Sequence, residues 1–453
     1  MIQNEKAELF ERTPIPKAVA KLTVPTVLSS LVMVLYNLAD TYFVGMLNDP
    51  VQNAAVTLAA PVLLAFNAVN NLFGVGTSSM MSRALGRKDY DTVYESSAFG
   101  FYCALISGLL FSVGCALSRT GLLRLLGADA RTSAATEGYL LWTVFCGAVP
   151  AILNVVLAYM VRSEGASLHA SVGTMSGCFL NMLLDPFFIL PWGLNMGAAG
   201  AGLATFLSNC AACAYFFVLL YRKRKTTFVC VDPRRFCWKK NIVLGVCGVG
   251  VPASIQNLLN VTGMTILNNF TAAYGADAVA AMGISQKINM VPMQIALGFS
   301  QGIMPLVSYN FSSGNRKRMK DTILFALKLM LPVTVLVCIG YYAGAEGIVR
   351  AFMEHESIVA YGARFLRAFC LEQPLLFLDF LAVGVFQALG MGRNALVFAV
   401  MRKIVLEIPA LFLLNFLFPL YGLAYAQPLA ELVLALAAVF MLKRIFDGKA
   451  ENA

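Results

Sequence analysis

Residues 22–43 read LTVPTVLSSLVMVLYNLADTYF, an apolar run that carries one acid, Asp40, near its end. A second apolar run, residues 171–190, reads SVGTMSGCFLNMLLDPFFIL and carries Asp185. A helix needs about 20 residues to cross a bilayer. An ionised carboxylate inside such a helix is costly and usually marks a path for ions or substrates. The two runs therefore predict a membrane protein and, within it, a first candidate site.

The composition of the whole chain agrees with this prediction. Of the 453 residues, 59% are hydrophobic and only 13% are charged, and the mean hydropathy is +0.72. A soluble domain carries about 25% charged residues. We therefore predict an all-α polytopic membrane protein with twelve transmembrane helices. The predicted spans lie near residues 18–44, 54–79, 95–118, 137–160, 168–190, 197–221, 241–272, 279–306, 321–344, 361–389, 396–418 and 421–442.

The net charge of +10 does not indicate a nucleic-acid partner, because the basic residues follow the predicted topology. With the N-terminus inside, 24 of the 34 Lys and Arg fall in inner segments and six in outer loops. Basic residues collect on the cytoplasmic side of membrane proteins. Both termini are therefore predicted to be cytoplasmic, in a multi-pass membrane protein. Residues 1–17 are polar and show no cleavable signal pattern.

One strongly basic connector, residues 222–240, separates six predicted helices from six. We interpret it as a cytoplasmic loop that contacts anionic lipid headgroups. The predicted domains are an N-lobe, residues 1–221 with helices 1–6, and a C-lobe, residues 241–453 with helices 7–12. Short motifs recur in the two halves, such as Leu22-Thr-Val-Pro25 and Val249-Gly-Val-Pro252. Two repeats in one orientation predict a pseudo-two-fold axis along the membrane normal, with a site between or within the lobes.

Polar side chains share one face on each of the two acid-bearing helices. Residues three and four apart lie on the same face of a helix. This spacing groups Tyr36, Asn37 and Asp40 on helix 1, and Asn181 with Asp185 on helix 5. The proline that follows Asp185 frees a backbone carbonyl in the preceding turn. A carboxylate, an amide and a free carbonyl on one face can hold a proton, a sodium ion or an ammonium group.

Both acids are expected at similar depth in the outer half of the membrane. At ~1.5 Å per residue, Asp40 lies about 28 Å and Asp185 about 24 Å from the inner end of its helix. Thr205, on helix 6, lies a few turns below the outer surface. We therefore expect these three residues to converge on one pocket. For Asp40 alone, the alternative is an acid at an interfacial helix end.

The second half carries further acids in helices 10, 11 and 12. Asp379 has no basic residue near it on its own helix, which favours a functional role. Lys403 precedes Glu407 by four residues and can pair with it on one helix face, so a structural and a functional role are both open for Glu407. The same two roles are open for Glu431. Lys287 either lines the same cavity or extends its amine to the membrane surface.

The motifs of common enzyme classes are absent from the sequence. It contains no Gly-x-x-x-x-Gly-Lys-Ser/Thr, no His-Glu-x-x-His and no Gly-x-Ser-x-Gly. The sequence contains only two histidines, His169 and His355, which are too few for a histidine-based metal or nucleophile site. We therefore expect no cofactor and no enzyme activity, and a transport step driven by an ion gradient. Two alternatives stay open: a flippase for lipid-linked precursors, which needs a basic cavity, and a membrane-embedded enzyme, which needs a clustered catalytic set.

These motifs resemble the multidrug and toxic compound extrusion (MATE) family, above all its MepA-like bacterial branch. The resemblance is carried by Leu22-Thr-Val-Pro25, Asn37-Leu-Ala-Asp-Thr-Tyr-Phe-Val-Gly45, Ser82-Arg-Ala-Leu-Gly86, Asn181-Met-Leu-Leu-Asp-Pro186, Ala388-Leu-Gly390 and the region from Arg402 to Pro409. It implies two six-helix lobes around a V-shaped cavity. It also implies export of cationic or amphipathic drugs in exchange for protons or sodium.

The resemblance assigns residues as well. It places the family's N-lobe acidic site on Asp40 and Asp185, with Asn181 and Thr205 beside them. It identifies Asp379 with the family's helix 10 acid. One sodium-coupled branch also uses a glutamate in helix 7. The corresponding region here reads Ile255-Gln256-Asn257, so Gln256 replaces that acid.

Together these observations predict a secondary active multidrug efflux antiporter. We expect a proton or a sodium ion to bind at Asp40 and Asp185, neutralise the pocket and rearrange helix 1. Sodium is the only metal ion expected at this site. A bound organic cation is then released outside. Tyr36, Phe66 and Phe73 are expected to add cation–π contacts. The predicted partners are small organic cations and membrane lipids, and the protein is expected to be a monomer.

Overall fold

The computed structural model describes residues 2–448, with side chains from residue 7 onward. Residues 449–453, the end of the predicted C-lobe, and the basic residue among them lie outside the described part. The helices of the first half are α1 Ile2–Glu11, α2 Ile15–Met46, α3 Pro50–Asn70, α4 Gly76–Gly86, α5 Tyr90–Leu117, α6 Arg119–Leu125, α7 Ser133–Leu140, α8 Ala148–Ser163, α9 Ser167–Ile189 and α10 Ala198–Arg222. Those of the second half are α11 Lys240–Ala272, α12 Ala276–Ser312, α13 Arg316–Arg350, α14 Glu356–Cys370, α15 Gln373–Leu389, α16 Gly392–Val400, α17 Ile408–Leu417 and α18 Tyr421–Phe446.

Twelve helical spans follow from these elements. Among residues 2–448, eight helices are long and apolar enough to cross a membrane, and two bent pairs bring the number to ten. The remaining two predicted spans are the helical stretch 392–417 and helix α18. The fold is the predicted all-α membrane bundle of twelve helices in two pseudo-symmetric lobes of six. The lobe boundaries at residues 221 and 241 stay a prediction.

Several spans are interrupted, and prolines explain only part of this. The α14–α15 pair bends by 45°, and Pro374 stands in the first turn of α15, where a proline is tolerated because its missing N–H has no partner to lose. The α7–α8 pair bends by 44°. Three further interruptions are π-helical turns, a rare geometry often found at functional sites. They are Asn71–Val75, Leu141–Phe145 and Met401–Glu407.

The N-terminal segment, which the sequence indicates only as a polar tail, forms helix α1. The ring of Phe10 stacks on Tyr309 with 4.8 Å between centroids, and the Phe10 carbonyl accepts a hydrogen bond from Arg318 Nε at 2.6 Å. Glu11 accepts from the Tyr309 hydroxyl at 2.7 Å and lies 3.6 Å from Lys88 Nζ. Helix α1 therefore joins the loop after α4 in the N-lobe to α12 and α13 in the C-lobe.

The basic connector between α10 and α11 packs back on the N-lobe. Arg235 Nη1 lies 2.9 Å from Asp91 Oδ1, and Lys239 Nζ lies 2.5 Å from Glu95 Oε1. Both acids belong to α5. Part of the positive charge of the connector is thus balanced inside the protein, while its predicted contact with lipid headgroups stays a prediction.

Candidate functional site

The two N-lobe acids lie on neighbouring helices, α2 and α9. Asp185 is fully buried and Asp40 is half-buried. Their carboxylates are close enough to interact electrostatically. The Oδ1 atom of Asp40 is inaccessible to solvent and has no hydrogen-bond partner among the described residues. The structure therefore brings the two acids near each other between α2 and α9, in the region that we call the N-lobe pocket.

An amide and hydroxyl groups surround this acid pair. Asn181 donates from its amide nitrogen to Asp185 Oδ2 at 2.8 Å, and its amide oxygen accepts from Thr205 Oγ1 at 3.2 Å and from the Thr205 backbone N–H at 3.0 Å. The reverse amide orientation would face the oxygen to acceptors only. Tyr36 on α2 contacts Thr205. Tyr139 on α7, which the sequence does not single out, interacts electrostatically with both carboxylates.

The charge of this pocket is unbalanced. In the part of the chain that the structure describes, no basic side chain forms an ion pair with Asp40 or Asp185. Two ionised carboxylates in such surroundings repel each other and are poorly solvated. A proton or a bound cation removes that cost. The available ligands are oxygens, including the partnerless Oδ1 of Asp40, and oxygen ligands suit hard cations.

The groups of ligands expected for softer metals do not occur. Within residues 2–448, no three His, Cys, Asp or Glu side chains come together as a metal site. The proposed sodium site would instead combine the carboxylates of Asp40 and Asp185 with uncharged oxygens, so its donor set fits sodium as well as a proton.

Three other residues predicted for this site lie elsewhere. The side chain of Asn37 is exposed, and its carbonyl accepts from the Thr41 hydroxyl at 2.9 Å. Phe66 and Phe73 are buried in the hydrophobic core, with Phe66 in edge contact with Phe111 at 5.1 Å between centroids. The structure therefore places Asn37 outside the hydrogen-bonded group, and it gives the two phenylalanines packing contacts.

The C-lobe contains a second group of buried charges, with a different balance. Arg402 Nη1 lies 3.3 Å from Asp379 Oδ2, and Arg402 Nε lies 2.6 Å from Glu431 Oε1. The second contact is an ion pair without hydrogen-bond alignment. The guanidinium also lies over the Phe380 ring, 5.4 Å from its centroid. All three charged residues are at most 4% exposed, so Arg402 is the common counter-ion of two acids.

The two other buried C-lobe acids, Glu407 and Glu372, also have partners. Lys403 Nζ contacts both carboxylate oxygens of Glu407, at 2.6 and 2.8 Å, so the predicted pairing within one helix face is present. Glu372 accepts from Asn289 Nδ2 at 2.7 Å, and Asn289 in turn accepts from Gln373 Nε2 at 2.5 Å. All five side chains are buried.

The structure adds a partner for Asp379 that its own helix does not provide. Asp379 does have a nearby cation, Arg402, which follows it by 23 residues and belongs to the next span. Spacing along one helix reveals partners within that helix only, and this partner comes from a neighbouring helix. The pairing weakens the argument that Asp379 is free to bind a coupling ion.

A central cavity of about 400 Å³ lies between the lobes. Its wall includes Arg402 and Lys403, besides methionines and many amides. Lys287 is exposed and is not part of this wall, whereas Gln256 belongs to it and accepts from Gln387 Nε2 at 3.5 Å. The glutamines of the wall are Gln256, Gln294, Gln301, Gln387 and Gln427.

Sequence comparisons relate the chain to known transporters. The model of the MatE family matches residues 25–187 and 252–413. The multidrug export protein MepA of Staphylococcus aureus is 32% identical over 447 residues, which cover 98% of this chain and 97% of that protein. MepA of Staphylococcus saprophyticus is 31% identical with the same coverage.

Solved structures show the same fold. A multidrug resistance MATE family transporter of the MOP superfamily, in an outward-facing conformation, superposes with a TM-score of 0.92 at 24% identity and 98% coverage of both chains. A MOP superfamily transporter from Pyrococcus furiosus gives a TM-score of 0.90 at 24% identity, with 99% of both chains covered.

Proposed function

Because the chain belongs to the MatE family of multidrug efflux transporters, we propose that it is a secondary active antiporter. It exports cationic or amphipathic organic compounds in exchange for protons or sodium. The observation that carries this proposal is the pair of the fully buried Asp185 and the half-buried Asp40, for which no counter-ion is found among the described residues. The MepA relatives are multidrug export proteins, which disfavours both alternatives, the membrane enzyme and the flippase.

Exchange follows from the charge of this pocket. Its negative charge can be neutralised by a proton, a sodium ion or the amine of a bound drug. The coupling ion and the amine of the drug are drawn to the same two carboxylates, and a carboxylate that has taken up one cation no longer attracts a second. Loading with the coupling ion therefore expels the organic cation, and the return of the drug expels the ion. Such competition at one site is sufficient for antiport.

The neighbouring polar groups set the order of these events. The Asn181 amide donates to Asp185 and thus stabilises the ionised form of this carboxylate. Thr205 holds the amide in that orientation through its hydroxyl and backbone N–H. Asp40, with its partnerless oxygen, is the carboxylate available to an incoming cation. Helix α2 carries Asp40, so neutralisation there changes the interactions of this helix with α9 and α10.

The C-lobe charges play a different part in this proposal. Arg402 lies against both Asp379 and Glu431, and Lys403 pairs with Glu407. These acids already have cations, so they do not require a coupling ion. We assign coupling to the N-lobe and a structural role to the buried C-lobe pairs, which also shape the cavity wall.

The cavity and the topology complete the proposal. Amide and methionine side chains line the central cavity, and such adaptable groups suit varied organic compounds. An even number of spans places both termini on one side of the membrane. The distribution of Lys and Arg makes that side the cytoplasm of a bacterial cell. The transporter acts as a monomer surrounded by membrane lipids.

The coupling ion can be identified with purified protein in liposomes. Vesicles loaded with acid or with sodium are diluted into medium that lacks the corresponding gradient ion, and ethidium uptake is followed by fluorescence. We expect uptake above that of protein-free vesicles for at least one of the two gradients, and none without a gradient. Equal uptake with and without both gradients would contradict antiport.

A further inference from the structure

A buried arginine lies beside the central cavity without an acidic partner. Arg162, at the end of α8, is 7% exposed. Its guanidinium carbon lies 5.5 Å from the centroid of the Tyr159 ring, and Nη1 lies 3.5 Å from Gln301 Oε1. Its Nε is inaccessible to solvent and has no hydrogen-bond partner in the part of the chain that the structure describes. The guanidinium group has five N–H donors. Among the described residues it makes one hydrogen bond, the long one to Gln301.

The surroundings of Arg162 do not compensate its charge. No carboxylate forms an ion pair with Arg162 anywhere in residues 7–448. The acid nearest to it along the chain, Glu164, accepts from the Thr227 hydroxyl and the Phe228 backbone N–H. Arg162 therefore differs from the buried cation Arg402, which has two acids.

An uncompensated buried charge is expensive. Removing a charged group from water costs several kcal/mol, unless an opposite charge or hydrogen bonds replace the lost hydration. The Tyr159 ring makes up only part of this cost, since a cation–π contact is weaker than an ion pair with aligned hydrogen bonds. The site thus has a strong tendency to bind an anion.

The cavity gives an anion access to this site. Tyr159, from the N-lobe, and Gln301, from the C-lobe, both line the central cavity, and both contact Arg162. The Gln301 contact is long and weak, so rotation of its amide frees the guanidinium. The same rotation turns the amide nitrogen toward the incoming group as a donor.

We propose that Arg162 binds an anionic group that enters the central cavity, and that this group is the carboxylate of a transported zwitterion. A planar guanidinium matches a carboxylate through two parallel hydrogen bonds. The zwitterion assignment rests on the proposed function, because an exported compound carries a basic group, and a carboxylate on the same compound would meet Arg162 on its way through the cavity. Free chloride has the same charge and is the other source of such an anion.

A matched pair of dyes tests the proposal without a transport assay. The probes are a zwitterionic rhodamine with a free carboxylate and its methyl ester, which is only cationic. Binding to purified protein in detergent is measured by fluorescence for the wild type, Arg162→Gln and Arg162→Lys. We expect Arg162→Gln to weaken binding of the acid by about tenfold or more, the scale of a charge-assisted hydrogen bond. Binding of the ester stays within about twofold, and Arg162→Lys is intermediate for the acid.

The control is Arg364→Gln, because Arg364 also lies over a tyrosine ring, at 4.6 Å from the Tyr421 centroid, but is exposed. It should change neither dye. Unchanged ester binding shows that Arg162→Gln is folded. It also keeps this test independent of antiport, since no ion gradient is used.

Two further results have fixed meanings. In the first, replacing gluconate by chloride raises the melting temperature of the wild type but not of Arg162→Gln, and Arg162→Gln does not selectively weaken binding of the acid dye. This result would identify the bound anion as chloride from the medium. An equal effect of Arg162→Gln on both dyes, or no binding of the acid by the wild type, together with no chloride effect, overturns the proposal.

Discussion

Asp185→Asn is expected to abolish ion-driven export of ethidium. The substitution keeps the shape of the side chain but removes a fully buried carboxylate, and with it the charge that either the coupling ion or the drug must balance. A basic side chain at the bilayer centre costs about 2.5–3.5 kcal/mol without compensation, so drug affinity should fall on the order of a hundredfold. Gradient-driven uptake into proteoliposomes should drop to the level of protein-free vesicles.

Asp40→Asn should act in the same direction with a smaller effect, because Asp40 is only half-buried and water replaces part of the lost interaction. A matched control is Glu354→Gln, which makes the same chemical change at an exposed carboxylate and should leave export unchanged. Folding of all variants is checked by melting temperature. Full gradient-driven uptake by folded Asp185→Asn would refute the assignment of coupling to the N-lobe.

The second large effect concerns stability. Arg402→Gln leaves Asp379 and Glu431 buried without their common cation. Removing one partner of a buried ion pair costs about 3–5 kcal/mol, and here two acids lose the same partner. We expect the free energy of unfolding in detergent to fall by that amount, with a clearly lower melting temperature.

A rescue variant separates charge from packing. The triple substitution Arg402→Gln, Asp379→Asn, Glu431→Gln removes the two acids together with the cation, and it should recover most of the lost stability. Lys287→Gln removes an exposed cation and should stay within about 0.5 kcal/mol of the wild type. An Arg402→Gln variant as stable as Lys287→Gln would show that the buried ion pairs contribute nothing.

The N-lobe pocket illustrates what the sequence can predict. Asp40 and Asp185 each stand on a membrane-spanning helix, so their depth follows from a count of residues at a fixed rise. Helical spacing places Asn181 beside Asp185 for the same reason. The pair Lys403–Glu407 is also local, and the structure contains it. Contacts within one helix, and positions along the membrane normal, can therefore be predicted from the sequence.

Contacts between helices cannot be predicted from residue spacing in the same way. The pairing of Arg402 with Asp379 depends on how two spans are rotated about their axes, and a π-helical turn at Met401–Glu407 changes that rotation. No residue pattern in the sequence marks this turn. The stacking of Phe10 on Tyr309 is not predicted from the sequence. A short, polar N-terminal segment with two apolar side chains has the composition of an unpacked tail.

Competition between the coupling ion and an organic cation tests the central claim most directly. Ethidium binding to purified protein in detergent is titrated with acid and, separately, with sodium, for the wild type and the double variant Asp40→Asn, Asp185→Asn. We predict that one of the two ions weakens binding to the wild type by about tenfold or more, and that the double variant shows weak binding without this dependence. The account would be contradicted if neither ion changed ethidium binding to the wild type, or if the double variant kept the ion dependence.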